Sequence, residues 1–361
     1  MSTDTLVNAR TKPIAIWLLI GVFMIMGQVW LGGVTRLTGS GLSITQWDPI
    51  MGAIPPLNHQ QWMHAFHLYQ QTPQYQLENR YFTLQDFKRI YFWEWLHRLW
   101  ARAMGVVFLV GFTYFLVRGR FTRKLIGPLV MLFILGGLQG LVGWIMVKSG
   151  LVGEHTRVDH IKLAIHFLTA MVLLVYTFWF ALSLLVKKEL RVHVKGIRGW
   201  LWATLGILVI QLAYGSFMAG LHAAMAAPTW PDINGHVIPH GLWTESPPLR
   251  NLIDNVLTIQ FIHRLLAYLL FILLCMVGWK SSHSPAGSLL RRTGWVPFGI
   301  ACLQILLGVL TVTHSHVRIP VALAVGHQFV GMLLLLSLIW MLFITYASPK
   351  PVEAPASSDF K

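Results

Sequence analysis

The stretch Tyr91-Phe-Trp-Glu94-Trp-Leu-His97-Arg98-Leu-Trp-Ala-Arg102-Ala-Met-Gly-Val-Val-Phe-Leu-Val-Gly-Phe-Thr-Tyr-Phe-Leu-Val117 decides the fold. A run of roughly 20 apolar residues is long enough to cross a ~30 Å hydrocarbon core as a helix. Seven more such segments begin near Ile14, Leu125, His160, Trp200, Val256, Trp295 and Val321. The whole chain agrees with them: 55% of its 361 residues are hydrophobic and 11% are charged, with a mean hydropathy of +0.60. An average soluble domain carries about 25% charged residues, so ordinary soluble, disordered and collagenous proteins are excluded. Buried core helices of a globular protein would leave too little polar surface for eight such runs. The expected class is an all-α integral membrane protein with eight transmembrane helices. Cys275 and Cys302 both lie in apolar runs, which argues against a disulfide scaffold or a thiolate zinc site.

The net charge of +15 reads as topology rather than nucleic-acid binding. Arg10, Lys12, Arg118, Arg120, Arg123, Lys124, Lys187, Lys188, Arg191, Lys195, Arg198, Lys280, Arg291, Arg292, Lys350 and Lys361 gather on one face. That face is about +12 and the other about +3, so the positive-inside rule puts both termini in the cytoplasm and loops 33–90 and 221–255 outside. No Ala-x-Ala-like site follows the first span, which is expected to be retained. The two halves also resemble each other. Glu94-Trp-Leu-His97-Arg98-Leu in span two answers Gln260-Phe-Ile-His263-Arg264-Leu in span six. Leu138-Gln139-Gly-Leu-Val-Gly143 in span three answers Leu303-Gln304-Ile-Leu-Leu-Gly308 in span seven. His166 and His327 match in spans four and eight, and Gln28 and Gln211 in spans one and five. A parallel repeat of two pseudo-symmetric four-helix bundles follows, related by an axis along the membrane normal. The division runs 1–13 (N-terminus), 14–190 (first bundle), 191–347 (second bundle) and 348–361 (a polar tail).

Ionisable residues inside spans are costly and mark functional sites. His97, His166, His263 and His327 stand within the first two turns or so of spans entering from the outer face, two per half, and are expected to form one layer. Paired imidazoles on facing helices suit an iron porphyrin. Zinc is the poorer candidate, since each half offers two histidines and at most one carboxylate. Arg98 and Arg264 follow their histidines and suit porphyrin carboxylates, or else snorkel to the interface. Glu94 lies one turn before His97 on the same helix face, where the second half has the neutral Gln260. The first half is therefore expected to carry chemistry and the second to move electrons. Glu94 serves there as a proton acceptor or as a charge that stabilises a developing cation, unless it only pairs with Arg98.

Loop one opens Gly32-Gly33-Val34-Thr35-Arg36-Leu37-Thr38-Gly39-Ser40-Gly41-Leu42-Ser43 and continues through Gln46-Trp47-Asp48-Pro49 to Gly52-Ala-Ile-Pro55-Pro56. Its density of Gly, Thr and Pro predicts a cap of turns over the first-half site, with Arg36 the best contact for substrate carboxylates. His59, His64 and His67 read as solvated surface, and His222, His236 and His240 carry no pattern.

Glu94-x-x-His97-Arg98, the loop motif Gly-Gly-Val-Thr-Arg-Leu-Thr-x-Ser-Gly-Leu-Ser with Trp47-x-Pro49 and Gly52-x-x-Pro55-Pro56, and four histidines on spans two, four, six and eight together resemble the haem A synthase family over nearly the whole chain. The resemblance implies two four-helix bundles. His263 and His327 would hold a haem b cofactor in the second, and His97, His166 and Glu94 would form the reaction site for haem o in the first. It implies oxidation of the C8 methyl of haem o to a formyl group by successive hydroxylations with water as oxygen source, giving haem a for terminal oxidase assembly. A bacterial inner-membrane location follows, with haem o synthase and oxidase assembly factors as partners and a homo-oligomer possible. The chain looks like the branch without loop cysteines, and it has Ala-Ala-Pro-Thr-Trp-Pro where other members tend to have a Phe-Pro step. The rival classes are a two-haem b-type cytochrome that only passes electrons and a haem exporter. The Glu94/Gln260 asymmetry separates the first from the enzyme, and labile ligation would mark the second.

Overall fold

A computed structural model describes residues 3–46, 51–151, 153 and 155–346 of the chain. Among these residues the protein is helical, without a strand: α1 Thr3–Leu37, α2 His59–Gln70, α3 Pro73–Leu77, α4 Leu84–Val117, α5 Arg123–Ser149, α6 His160–Leu185, α7 Ile197–Gly220, α8 Val256–Ser282, α9 Leu289–Thr293, α10 Val296–Thr313 and α11 Val321–Thr345. Eight helices are long and apolar enough to cross a membrane, and the protein is a multi-pass membrane protein. Trp47, Asp48 and Pro49 lie outside the described residues, as does the polar tail.

Local chemistry sets the helix ends. Thr83 and Asp86 form a capping box: the Thr83 hydroxyl and amide both donate to Asp86 Oδ2, at 2.7 and 3.0 Å, which starts α4 seven residues before the expected Tyr91. Asp159 and Asn255 cap α6 and α8 by accepting from the Lys162 amide at 2.8 Å and the Leu257 amide at 3.0 Å. The early start of α4 is stabilised by a small aromatic core outside the spans. There Phe66 and Tyr69 of α2 pack on Phe87 and Ile90, flanked by Trp62, Tyr75 and Tyr91. His97 therefore lies almost four turns into its helix rather than two, whereas His166, His263 and His327 stand about two turns in.

The expectation that loop one begins at Gly32 is corrected, because α1 stays helical through Leu37. The two glycines serve close packing instead of a turn. A Cβ at Gly32 would sit 3.3 Å from His97 Nε2, and one at Gly33 2.9 Å from Gln328 Oε1. The helix ends in a reverse turn at Gly39, whose φ of +66° suits glycine. The Ser40 amide closes it on the Thr35 carbonyl at 2.9 Å.

The helices divide into an inner and an outer set. In α11, 72% of the most apolar stretch lies inside the protein, against 6% in α4. The inner set is α1, α6, α7 and α11, and α4, α5, α8 and α10 pack around it. Within each half the first span packs on the second and the fourth, and the third on the fourth: α1 on α4 and α6, α5 on α6, then α7 on α8 and α11, α10 on α11. The halves meet where α6 touches α7 and where α1 and α6 touch α11. They differ in one pairing, since α8 packs on α10 but α4 and α5 make no comparable contact.

Candidate functional site

Each histidine pair joins an outer helix to an inner one: His97 of α4 with His166 of α6, and His263 of α8 with His327 of α11. All four line one cavity of about 1330 Å³ between the helices. That exceeds the 300 to 1,000 Å³ of a usual single-ligand pocket. Glycines make room for the rings on the inner helices. A Cβ at Gly143 would lie 2.7 Å from His166 Cε1, and one at Gly308 2.9 Å from His327 Cε1.

The second pair tests the fit of an iron porphyrin. The His263 and His327 ring centroids are 6.4 Å apart, with an angle of 70° between the ring planes. Two metal–nitrogen bonds of about 2 Å each, plus about 1 Å from each nitrogen to its ring centre, call for about 6 Å. The His327 Nδ1–H donates to the Gln304 carbonyl at 2.9 Å, which leaves Nε2 as the ligand nitrogen. Around this pair His263 Nδ1 and the side-chain oxygens of Gln211, Gln260 and Gln304 are buried without hydrogen-bond partners. Native interiors keep few such atoms, and their concentration in one half of one cavity fits a site built for a bound group. His97 and His166 are within electrostatic reach of each other and face the first half of the cavity. The residues present fit the group. Among the described residues no cluster of three or more His, Cys, Asp or Glu forms a metal site. His59, His64 and His67 are exposed on α2.

Glu94 is buried, 2% exposed, and its carboxylate gathers four donors. Oε2 accepts from the Ser43 amide at 2.7 Å, the Ser43 hydroxyl at 2.7 Å and the Ile44 amide at 2.9 Å. Oε1 accepts from Arg98 Nη2 at 2.6 Å. Three of these four bonds fall on Oε2 and one on Oε1, so Oε2 is saturated with donors while Oε1 keeps one acceptor site. Gln260, its counterpart, donates from Nε2 to the Ala227 carbonyl at 2.9 Å. Both side chains therefore reach from a histidine helix to a loop beyond the spans, one as a carboxyl group and one as an amide.

The arginines do the same. Arg98 also donates to the Ile44 carbonyl at 3.0 Å, and Arg264 donates to the carbonyls of Asp232 at 2.6 Å and Thr229 at 2.7 Å. Arg36 lies at the seam of the halves and donates to the Ala219 carbonyl of α7 at 2.6 Å. No carboxylate pairs with it among the described residues. Beside it stand two residues that sequence reasoning passed over. Arg157 donates to His222 Nδ1 at 3.4 Å, and the His222 imidazole is pushed down to about 4 by burial, with repulsion from Arg157 and Arg36 adding to it. His222 also holds a left-handed backbone, φ 53°, a sparsely populated conformation that clusters at functional sites. Ser43, Ile44 and Thr169 were missed as well, and Gln139, Gln211 and Gln304 were read only as repeat markers. Amides recurring at matched places in apolar helices were the available signal.

The chain matches the family described as cytochrome oxidase assembly protein (COX15-CtaA) over residues 15–339. A protein named Heme A synthase from Rhodospirillum centenum is 41% identical to it over 96% of this chain and 91% of that protein. Proteins of the same name from Brucella suis and Bradyrhizobium diazoefficiens are 40% and 39% identical, covering 91% and 92% of this chain and 90% and 92% of theirs. With the match covering most of its length and the four histidines gathered on one cavity, the chain belongs to the COX15-CtaA family of cytochrome oxidase assembly proteins.

Proposed function

We propose that this chain is a haem A synthase that oxidises the C8 methyl of haem o to a formyl group. His97 and His166 would take the iron of the substrate, and His263 and His327 that of a resident haem b. The observation that carries the reading is the buried Glu94 carboxylate, one turn from His97, where the otherwise matching second half has Gln260. When bound, haem b supplies one-electron redox chemistry. Converting the methyl to the formyl consumes one water and releases four protons and four electrons to an acceptor outside the chain.

Of the two roles open to Glu94, the four donors gathered on it favour charge stabilisation. Ser43, Ile44 and Arg98 hold a fixed anion in place, and a fixed anion beside an electron-deficient methyl carbon needs no reorganisation as positive charge develops. Arg98 and Arg264 clamp loop segments over the two halves. Arg36, a half-buried guanidinium that pairs with no carboxylate among the described residues, is suited to a propionate of the porphyrin. We read the halves as pseudo-symmetric bundles of residues 14–190 and 191–347, which their matching helix pairings support. Both termini are placed in the cytoplasm, in a bacterial inner membrane, with haem o synthase and oxidase assembly factors as partners and a homo-oligomer as a further possibility.

The test expresses the full chain beside a haem o source and extracts the pigments. Haem a is expected from the wild type and lost from Glu94→Gln, while bound haem b persists. Removing one preorganised electrostatic group costs about 10²–10³ in rate. Haem a formed by Glu94→Gln at the wild-type rate removes the role given to Glu94. Two bound haems with no haem a from the wild type would favour the electron-passing cytochrome.

A further inference from the structure

The inner-helix histidines, His166 of α6 and His327 of α11, share a ring pose but not a hydrogen-bond pattern. Both direct Cε1 at a glycine, Gly143 or Gly308, four residues after a glutamine. In the second half the His327 Nδ1–H donates to the Gln304 backbone carbonyl at 2.9 Å. A neutral imidazole carries one N–H, so its lone pair is on Nε2. The Gln304 side-chain nitrogen donates to that lone pair at 3.3 Å, while its oxygen is buried with no partner. That bond to the ring is the one hydrogen bond the carboxamide makes among the described residues.

In the first half the carboxamide is locked. The Thr169 hydroxyl donates to Gln139 Oε1 at 2.6 Å. Gln139 Nε2 then donates to the His166 carbonyl at 3.0 Å and lies 3.2 Å from His166 Nδ1. The same amide nitrogen lies 3.5 Å from His166 Nε2, so one locked carboxamide faces both ring nitrogens. Thr169 is three residues after His166, and the residue three after His327 is Val330, which has no hydroxyl. This one difference accounts for the orphaned oxygen of Gln304.

We propose that Thr169 and Val330 set the ligand character of the two inner histidines, making His327 a preset iron ligand through Nε2 and His166 an exchangeable one. The inference rests on the reading that both halves take an iron porphyrin. His166 ligates only after the Gln139 amide, held by Thr169, gives up its place against the ring nitrogens, whereas His327 needs only the loose Gln304 amide to swing aside. A histidine whose other nitrogen donates to a carbonyl is also the more basic ligand. The device matches the needs of the halves: a substrate must leave after reaction, and a cofactor must stay. Thr169 and Gln139 are positioning residues acting through His166.

The experiment loads the purified full chain in cells supplied with haem o, then follows transfer of each pigment to excess apomyoglobin, identifying pigments after extraction. In the wild type, haem o and haem a are expected to leave faster than haem b. Thr169→Val frees Gln139 and should slow release from the first half about tenfold, and Thr169→Ser should keep the wild-type rate. Val330→Thr should hasten loss of haem b about tenfold, the scale on which groups behind a metal ligand act. Loss of packing speeds release in any variant, so the slowing by Thr169→Val is the outcome a merely structural role does not produce. Unchanged or faster release from Thr169→Val, with haem a still formed, overturns this inference and leaves the proposed function standing. A wild type that binds haem b but takes up no haem o overturns both.

Discussion

Ser43 and His222 show how single side chains act at this site. Ser43 supplies two of the four bonds to Glu94, and a hydrogen bond to a charged group contributes about 1.5–3 kcal/mol. Ser43→Ala keeps the backbone bond and loses the hydroxyl. It is expected to lower haem a formation about tenfold, measured by pigment extraction, with bound haem b unchanged. His222 stays neutral in the fold, held down to about 4 by burial and by the nearby Arg157 and Arg36. The unfolded chain binds its proton near the ordinary histidine value of about 6.5, so the unfolded state holds more protons between these two values. Stability therefore rises with pH across that window and is lost as pH falls from about 6.5 towards about 4. The melting temperature in detergent should drop on acidification from pH 7 to pH 5, and drop less in His222→Gln. An equal drop in the variant would show that another group governs the change.

Among the elements, α1 and α4 depart furthest from expectation. Gly32–Leu37 looked like loop because glycine and threonine weaken a helix in isolation. In the protein those glycines admit the His97 ring and the Gln328 amide, and the Thr35 hydroxyl folds back on the Leu31 carbonyl at 2.9 Å. The start of α4 was legible in the Thr83-Leu-Gln-Asp86 capping box, which the hydropathy of the span that follows overshadowed. Helix contacts at glycines carry a prediction here. Gly308→Ala puts a Cβ against the His327 ring, whereas Gly299 on the same helix faces open space. Gly308→Ala is expected to lower the haem b content per chain several-fold, by absorbance of the purified protein, and Gly299→Ala to leave it alone. Overpacking at such a contact costs about 1–3 kcal/mol.

For the molecule as a whole, the inner helices do the joining. Gln328 of α11 donates to the Val29 carbonyl of α1 at 2.8 Å, and Arg36 of α1 to Ala219 of α7. At the end of the bundle that carries the long loops, His160 at the start of α6 donates to the Ile253 carbonyl at 2.8 Å. These bonds cross between the halves, so the halves should unfold together. Gln328→Leu is expected to lower stability by about 1 kcal/mol, read as a single lowered melting transition. Two resolved transitions would show that the halves are independent. The halves differ in where they are tightest: α8 packs on α10 in the second, while in the first α1 packs on α6 more extensively than α7 does on α11.

Class, span count and the four histidines were legible in the chain alone, because the length of an apolar run and the cost of an imidazole in lipid are properties of the sequence itself. The Glu94/Gln260 contrast was legible too, since a repeat makes its own comparison. What Glu94 does was not, because three of its four donors come from a loop about 50 residues away in the chain and only folding brings them to one carboxylate. The state of His166 and His327 was hidden for the same reason. How firmly a carboxamide is held against each ring depends on whether a threonine or a valine stands beside it, and only folding brings those residues of neighbouring helices together.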